Sequence, residues 1–114
     1  MSDDCLFCKI AAGKLPAKIV HQDDDVVAFV DIAPQAPTHL LLIPRRHVAR
    51  TLDLTAEDGP ILGRIVEVAN RIARERGLED GFRLVINNGP GAGQTVYHLH
   101  VHLLGGRALR WPPG

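Results

Sequence analysis

The 114-residue sequence predicts an α+β fold: a five-stranded, mostly antiparallel sheet with one long and one short helix. Three observations carry this. Apolar residues Ile61, Leu62, Ile65, Val66, Ala69, Ile72 and Ala73 recur at three- and four-residue spacing, the mark of one buried helix face. Short β-branched runs flank that stretch, bounded by Gly, Pro, Asn and Asp. Most links between these runs are too short to hold a crossover helix, so neighbouring strands run antiparallel. The length is that of one domain over 1–114, ending in an irregular tail over 105–114.

The elements follow in order. Cys5–Ala12 is compatible with a short helix that Gly13 and Pro16 stop. Ile19–His21 and Val26–Val30, parted by Gln22-Asp23-Asp24-Asp25, read as a hairpin. Asp31 to Thr38 carries Pro34 and Pro37 and is a loop. His39–Ile43 is the third strand, ended by Pro44. Thr55-Ala56-Glu57-Asp58 has the form of a capping box that opens the long helix. The polar face of that helix holds Arg64, Glu67, Arg71, Arg74 and Glu75, and Gly77 is its C-cap. Phe82–Asn87 is the fourth strand, Asn88–Gln94 a glycine-rich loop, and Tyr97–Leu104 the fifth strand.

Composition excludes several function classes. Lys plus Arg and Asp plus Glu both number 13, so no net charge favours duplex nucleic acid. Five aromatic residues are too few for a stacking platform for single strands. The apolar runs Val26–Val30 and Leu40–Ile43 fall far short of the roughly 20 residues that span a bilayer. The acidic Met-Ser-Asp-Asp-Cys opening does not read as a secretory signal, and the expectation is a cytoplasmic protein. In that reducing setting, Cys5 and Cys8 point to redox chemistry or metal binding, or to two small buried hydrophobic residues.

His98, His100 and His102 alternate along the fifth strand, so their side chains share one face about 6.6–6.8 Å apart. Tyr97, Leu99, Val101 and Leu103 take the other face, toward the helix, which leaves the histidine face open or covered by ligand. Two chemistries suit three aligned imidazoles: a histidine metal site, or nucleophilic attack on phosphorus by a neutral ring. The preceding loop, Asn87 to Thr95, is rich in glycine and offers backbone N–H groups to an anion, which favours phosphate.

The segment Gln94-Thr95-Val96-Tyr97-His98-Leu99-His100-Val101-His102-Leu103-Leu104 resembles the H-x-H-x-H pattern of the histidine-triad (HIT) superfamily. Asp31 to His39 and Ile43-Pro44-Arg45-Arg46-His47 match the same family in order and spacing, and the ending Gly105 to Gly114 is similar to its Hint branch of nucleotide-binding proteins. The resemblance implies a hydrolase that cleaves the P–N bond of purine nucleoside phosphoramidates, derivatives of adenosine or guanosine monophosphate. It makes His100 the nucleophile, His102 the phosphate contact, and His98 and His39 the residues completing the cluster. Thr95, where the branch usually has Ser, delivers a proton to the leaving amine. Asp31 matches the ribose carboxylate, although outside the family an Asp there is ordinarily a turn former. Phe7, Ile10, Phe29, Ile32 and Leu41 match the walls of the purine pocket; Asn87, Gly93, Gln94 and Thr95 match phosphate-side and leaving-group contacts, and Val96 belongs to the nucleotide-binding set. Cys5, Cys8, His47 and His98 match a structural zinc set, with no cofactor required for catalysis. The resemblance further implies a homodimer whose sheets merge. Two alternatives share these residues: a regulatory nucleotide- or partner-binding protein, and a dinucleoside polyphosphate hydrolase.

Overall fold

The computed structural model describes residues 4–114. The Met-Ser-Asp opening, on which the reading of the N-terminus partly rests, lies outside them. Five strands, β1 (Ile19–Gln22), β2 (Val26–Val30), β3 (Thr38–Pro44), β4 (Phe82–Ile86) and β5 (Val101–Gly105), form one sheet in the order β1-β2-β3-β5-β4. Every neighbouring pair is antiparallel. Two helices accompany it, α1 (Leu6–Ala11) and α2 (Gly59–Glu75).

Each helix covers one face of the sheet, and the strand period of two sorts residues between them. Val26, Ala28, Leu40, Leu42, Val101 and Leu103 pack with Ile65, Val68, Ala69 and Ile72 of α2. Val27, Phe29, Leu41 and Ile43 pack with Phe7 and Cys8 of α1 and with its N-cap, Cys5. Burial on both faces is why β2 and β3 read as continuous apolar runs and not as alternating ones.

Three expectations need correction. The histidine face is neither open nor ligand-covered throughout, because α1 lies on it and buries His98 and His100. Tyr97 does not enter the core; it is exposed. The fifth strand starts at Val101, not Tyr97. Its ladder with β3 stops at the Leu42–Val101 pair, short of Pro44. Pro44 has no N–H to give, and its carbonyl accepts from the His98 ring at 2.8 Å. The Leu99 N–H turns instead to the Val48 carbonyl at 2.6 Å.

The ends of α2 follow the sequence closely. The Thr55–Asp58 capping box is present, but it opens a 3₁₀ turn over Ala56–Asp58, and the helix proper begins at Gly59. Arg46 pairs with the same Asp58 carboxylate, tying the segment after β3 to the helix start. At the other end Gly77 has φ +70, and the N–H groups of Gly77 and Leu78 return to the carbonyls of Arg74 and Ala73. Val68, absent from the predicted stripe, is fully buried in it. Among the described residues no helix is long and apolar enough to cross a membrane. β4 is an edge strand with every residue half-buried. The tail is held through Arg83 to the Arg110 carbonyl, and Trp111 is exposed.

Candidate active site

The α1 face of the sheet carries a cleft of about 610 Å³. Among the residues singled out from the sequence, Phe7, Ile10, Phe29, Ile32, Leu41 and Val96 supply apolar wall, and Asp31, Thr95, His100 and His102 supply polar groups. The sequence reading missed Leu15, Pro16, Ala17 and Lys18 on the strap between α1 and β1, which also line it. The Leu-Pro pair just after a helix stop was the available signal.

Hydrogen bonds fix the state of each ring. His100 Nδ1 lies 2.7 Å from the His98 carbonyl oxygen. A carbonyl can only accept, so Nδ1 carries a proton, and in the neutral ring Nε2 then holds the lone pair. Phe7 backs this ring edge-on, with centroids 5.1 Å apart at 90°. His39 behaves in the opposite sense. Its Nδ1 accepts from the Gln35 N–H at 3.0 Å, which places its proton on Nε2. That Nε2–H points at His102 Nδ1, 2.9 Å away, with Asp31 Oδ2 at 3.3 Å. His102 therefore carries its proton on Nε2. The two cleft imidazoles thus hold complementary states, a lone pair on His100 Nε2 and a donor on His102.

Burial is the main force on these rings. It pushes His102 down to about 4, helped by repulsion from the neighbouring His100 and His39, while Asp31 pulls the other way. Burial lowers His39 as well, against the pull of Asp31. Asp31 has both of the roles its sequence position allows: Oδ1 accepts from the Ala33 N–H at 2.8 Å as a turn former, and Oδ2 faces His39. Asp31, His39 and His102 bring three potential metal donors together, but the Nε2 proton of His39 makes this a hydrogen-bonded group.

Not every predicted residue reaches the cleft. Asn87, Gly93 and Gln94 do not line it, and His39 acts behind His102. The Gln94 amide is spent on the loop: it accepts from the Gly89 N–H and donates to the Ala49 and Val96 carbonyls. The N–H groups of Ala92, Gly93 and Gln94 also close on loop carbonyls. The glycine-rich loop is thus a braced support for Thr95 and Val96 more than a nest of free amides.

His98 belongs to a second cluster. With Nε2–H donated to Pro44, its Nδ1 lone pair meets Cys5 Sγ at 3.3 Å, Cys8 Sγ at 3.4 Å and His47 Nδ1 at 3.3 Å. Cys8 Sγ is 3.4 Å from His47 Nδ1. A tetrahedral zinc with Zn–N of about 2.0–2.1 Å and Zn–S of about 2.3 Å separates its donors by roughly 3.3–3.7 Å. The Cys8 N–H also donates to Cys5 Sγ at 3.3 Å, the N-cap bond of α1, which fixes that sulfur beside the other three donors. Donor types, spacing and the His98 tautomer all fit zinc. Such an ion would tie α1 to the chain before β5.

A family model described as the HIT domain matches residues 12–109. The chain belongs to the HIT family. A HIT family hydrolase from Legionella pneumophila Philadelphia 1 superposes with a TM-score of 0.96 at 53% identity, covering 97% of this chain and 100% of the other. A 14 kDa zinc-binding protein of Brassica juncea is 49% identical over 113 residues, 97% of this chain and all of that protein. A histidine triad nucleotide-binding protein from Candida albicans superposes at 0.81 with 30% identity, covering 96% and 83%. The name of the zinc-binding relative agrees with the Cys5, Cys8, His47 and His98 cluster of this HIT chain.

Two outcomes follow. His102, held below its unfolded value, stays neutral from pH 7 to below pH 5, read from imidazole ¹⁵N shifts along a titration. The stability it contributes is fully present above about pH 6.5 and is lost as pH falls toward 4, since there the unfolded chain binds the proton more readily. Protein purified without chelator contains one zinc per chain by elemental analysis. Stripping it lowers the melting temperature by roughly 10 °C or more, because the ion binds only the native arrangement; a metal content near zero after zinc titration removes the site.

Proposed function

We propose that this HIT protein hydrolyses purine nucleoside phosphoramidates through a nucleotidyl-histidine intermediate, as the Hint-branch resemblance implies. The observation that carries the reading is the His100 ring, whose Nδ1–H is donated to the His98 carbonyl so that Nε2 is a free nucleophile. The base lies among Phe7, Ile10, Phe29, Ile32, Leu41 and Val96, and the ribose hydroxyls donate to Asp31. His102 Nε2–H donates to a phosphoryl oxygen, and His39 holds it in that state. His100 Nε2 forms a bond to phosphorus as the P–N bond breaks, and the amine leaves with that electron pair and a proton that the Thr95 hydroxyl passes on from solvent water. Water then cleaves the N–P bond to His100 and releases the nucleoside monophosphate. Two easier displacements replace one hard one. Zinc is structural in this account, and turnover needs no further cofactor.

The working unit we propose is a cytoplasmic homodimer. Cys5 and Cys8, not joined in a disulfide, suit a reducing compartment, and the half-buried apolar residues of edge strand β4 suit pairing with a second β4 across a two-fold axis. Sedimentation reports a dimer at micromolar protein; a monomer there removes this part of the proposal.

His100→Ala loses at least about 10³-fold in turnover of adenosine phosphoramidate, some 4 kcal/mol of barrier, while nucleotide affinity changes far less. The same substrate, compared with diadenosine polyphosphates on the unmodified protein, separates this reading from its two alternatives. Retention of more than about a tenth of the rate by His100→Ala contradicts the assignment.

A further inference from the structure

The loop between β2 and β3 starts at Asp31 and reaches the buried His39 from its middle, at Gln35. The Gln35 N–H donates to His39 Nδ1 at 3.0 Å, and its side-chain amide donates to the Ala33 carbonyl at 2.9 Å. Ala33 in turn gives its N–H to Asp31 Oδ1 at 2.8 Å. Both the ribose carboxylate and the His39 ring therefore depend on where Gln35 sits. Yet residues 32–35 and Pro37 are exposed, so no core packing holds the loop. The brace comes from the chain just past β5. Arg107 Nε donates to the Gln35 carbonyl at 2.9 Å, and its Nη1 donates to the Ala108 carbonyl at 2.9 Å, which steadies the guanidinium. Gly106, at φ +91, lies against Pro37, where a Cβ would come within 2.9 Å of the proline Cβ. Neither Arg107 nor Gln35 lines the nucleotide cleft.

A backbone N–H can only donate. While Gln35 stays in place, His39 Nδ1 is an acceptor and the His39 proton sits on Nε2. Water in the same position makes no such choice, because it donates and accepts equally well. If the loop moves away, only Asp31 Oδ2, 3.3 Å from His39 Nε2, still favours that state. In the other tautomer His39 Nε2 accepts from His102 Nδ1, and His102 then turns a lone pair, not a proton, to the cleft. A lone pair facing a phosphoryl oxygen repels it.

We propose that Arg107 is a positioning residue for the reaction: through the Gln35 peptide it keeps the His39 proton on Nε2, and so keeps a proton on the His102 nitrogen that faces phosphate. Arg107 touches neither the substrate nor the reacting atoms. Its effect on rate rests on the phosphoramidate reading, whereas its effect on the two rings does not. The role asks for an N–H donor at this point of the side chain and not for a positive charge.

Two substitutions separate donor from charge. Arg107→Gln places an amide nitrogen as far along the side chain as Nε and removes the charge; Arg107→Met keeps the length and has no donor. Arg107 is exposed, and circular dichroism and zinc content report that both variants are folded. Long-range ¹H–¹⁵N correlation on the zinc-loaded, nucleotide-free protein reads the two rings, assigned by their loss in His39→Gln and His102→Gln. Initial rates with an adenosine phosphoramidate read turnover. In Arg107→Met the Nδ1 and Nε2 shifts of both rings move toward each other as the second tautomer mixes in. Its kcat falls about fivefold, the scale of one net hydrogen bond, with KM held within about twofold. Arg107→Gln restores the ring shifts, and kcat to within about twofold of the unmodified protein. Ring shifts that stay unmoved in Arg107→Met, or that Arg107→Gln fails to restore, overturn the proposal and leave the hydrolase reading standing. Ring shifts that move and are restored in a protein that turns over no adenosine phosphoramidate overturn the hydrolase reading, and with it the part of Arg107 in the rate, while its hold on the rings stands.

Discussion

One hydrogen bond organises the chemistry of this protein: the His100 Nδ1–H given to the carbonyl of His98. Because a carbonyl cannot donate, this contact decides which nitrogen of His100 is a base and aims it at the cleft. The rest of the fold holds the two ends of that bond. On one side, Phe7 packs on the His100 ring edge-on. On the other, His98 is fully buried, with Nε2 on Pro44 and Nδ1 in the cluster of Cys5, Cys8 and His47. Cys5, Phe7 and Cys8 all come from the start of α1, so one short helix closes both the cluster and the back of the His100 ring.

That arrangement requires a sheet buried on both faces. α2 takes the alternate residues that include Leu99, Val101 and Leu103, which frees His98, His100 and His102 to face α1. The same alternation on β3 puts His39 and Leu41 on the α1 side, where His39 meets His102 and Leu41 joins the cleft wall. A one-residue slip of β5 against β3 would exchange Leu for His throughout, so the packing of α2 sets the register of the site.

Much of this was legible in the residues themselves. The Ile61–Ala73 stripe, the β2 run and the H-x-H-x-H spacing each carry one period, and period is the strongest local signal a sequence has. The cleft walls at Phe7, Ile10, Phe29 and Leu41 came from family resemblance, since apolar residues in a pocket and in a core look alike. What stayed hidden depends on contacts between distant segments. The early end of the β5 ladder follows from Pro44 lying where Leu99 would pair, 55 positions away in sequence. The loop from Asn88 to Gln94 looked like a row of free amides because nothing local reveals that Gln94 folds back on Gly89, Ala49 and Val96. The covering of the histidine face by α1 was invisible because a six-residue helix carries no clear face of its own.

The account's central claim is the state of one ring, and imidazole NMR reads it directly. Long-range ¹H–¹⁵N correlation on the nucleotide-free protein, with His100 assigned by its loss in His100→Gln, distinguishes the two neutral tautomers. The neutral His100 ring is predicted to carry its proton on Nδ1, slow to exchange, with the Nε2 shift of an unprotonated nitrogen. A proton on Nε2 would leave no lone pair facing the cleft and would contradict the account.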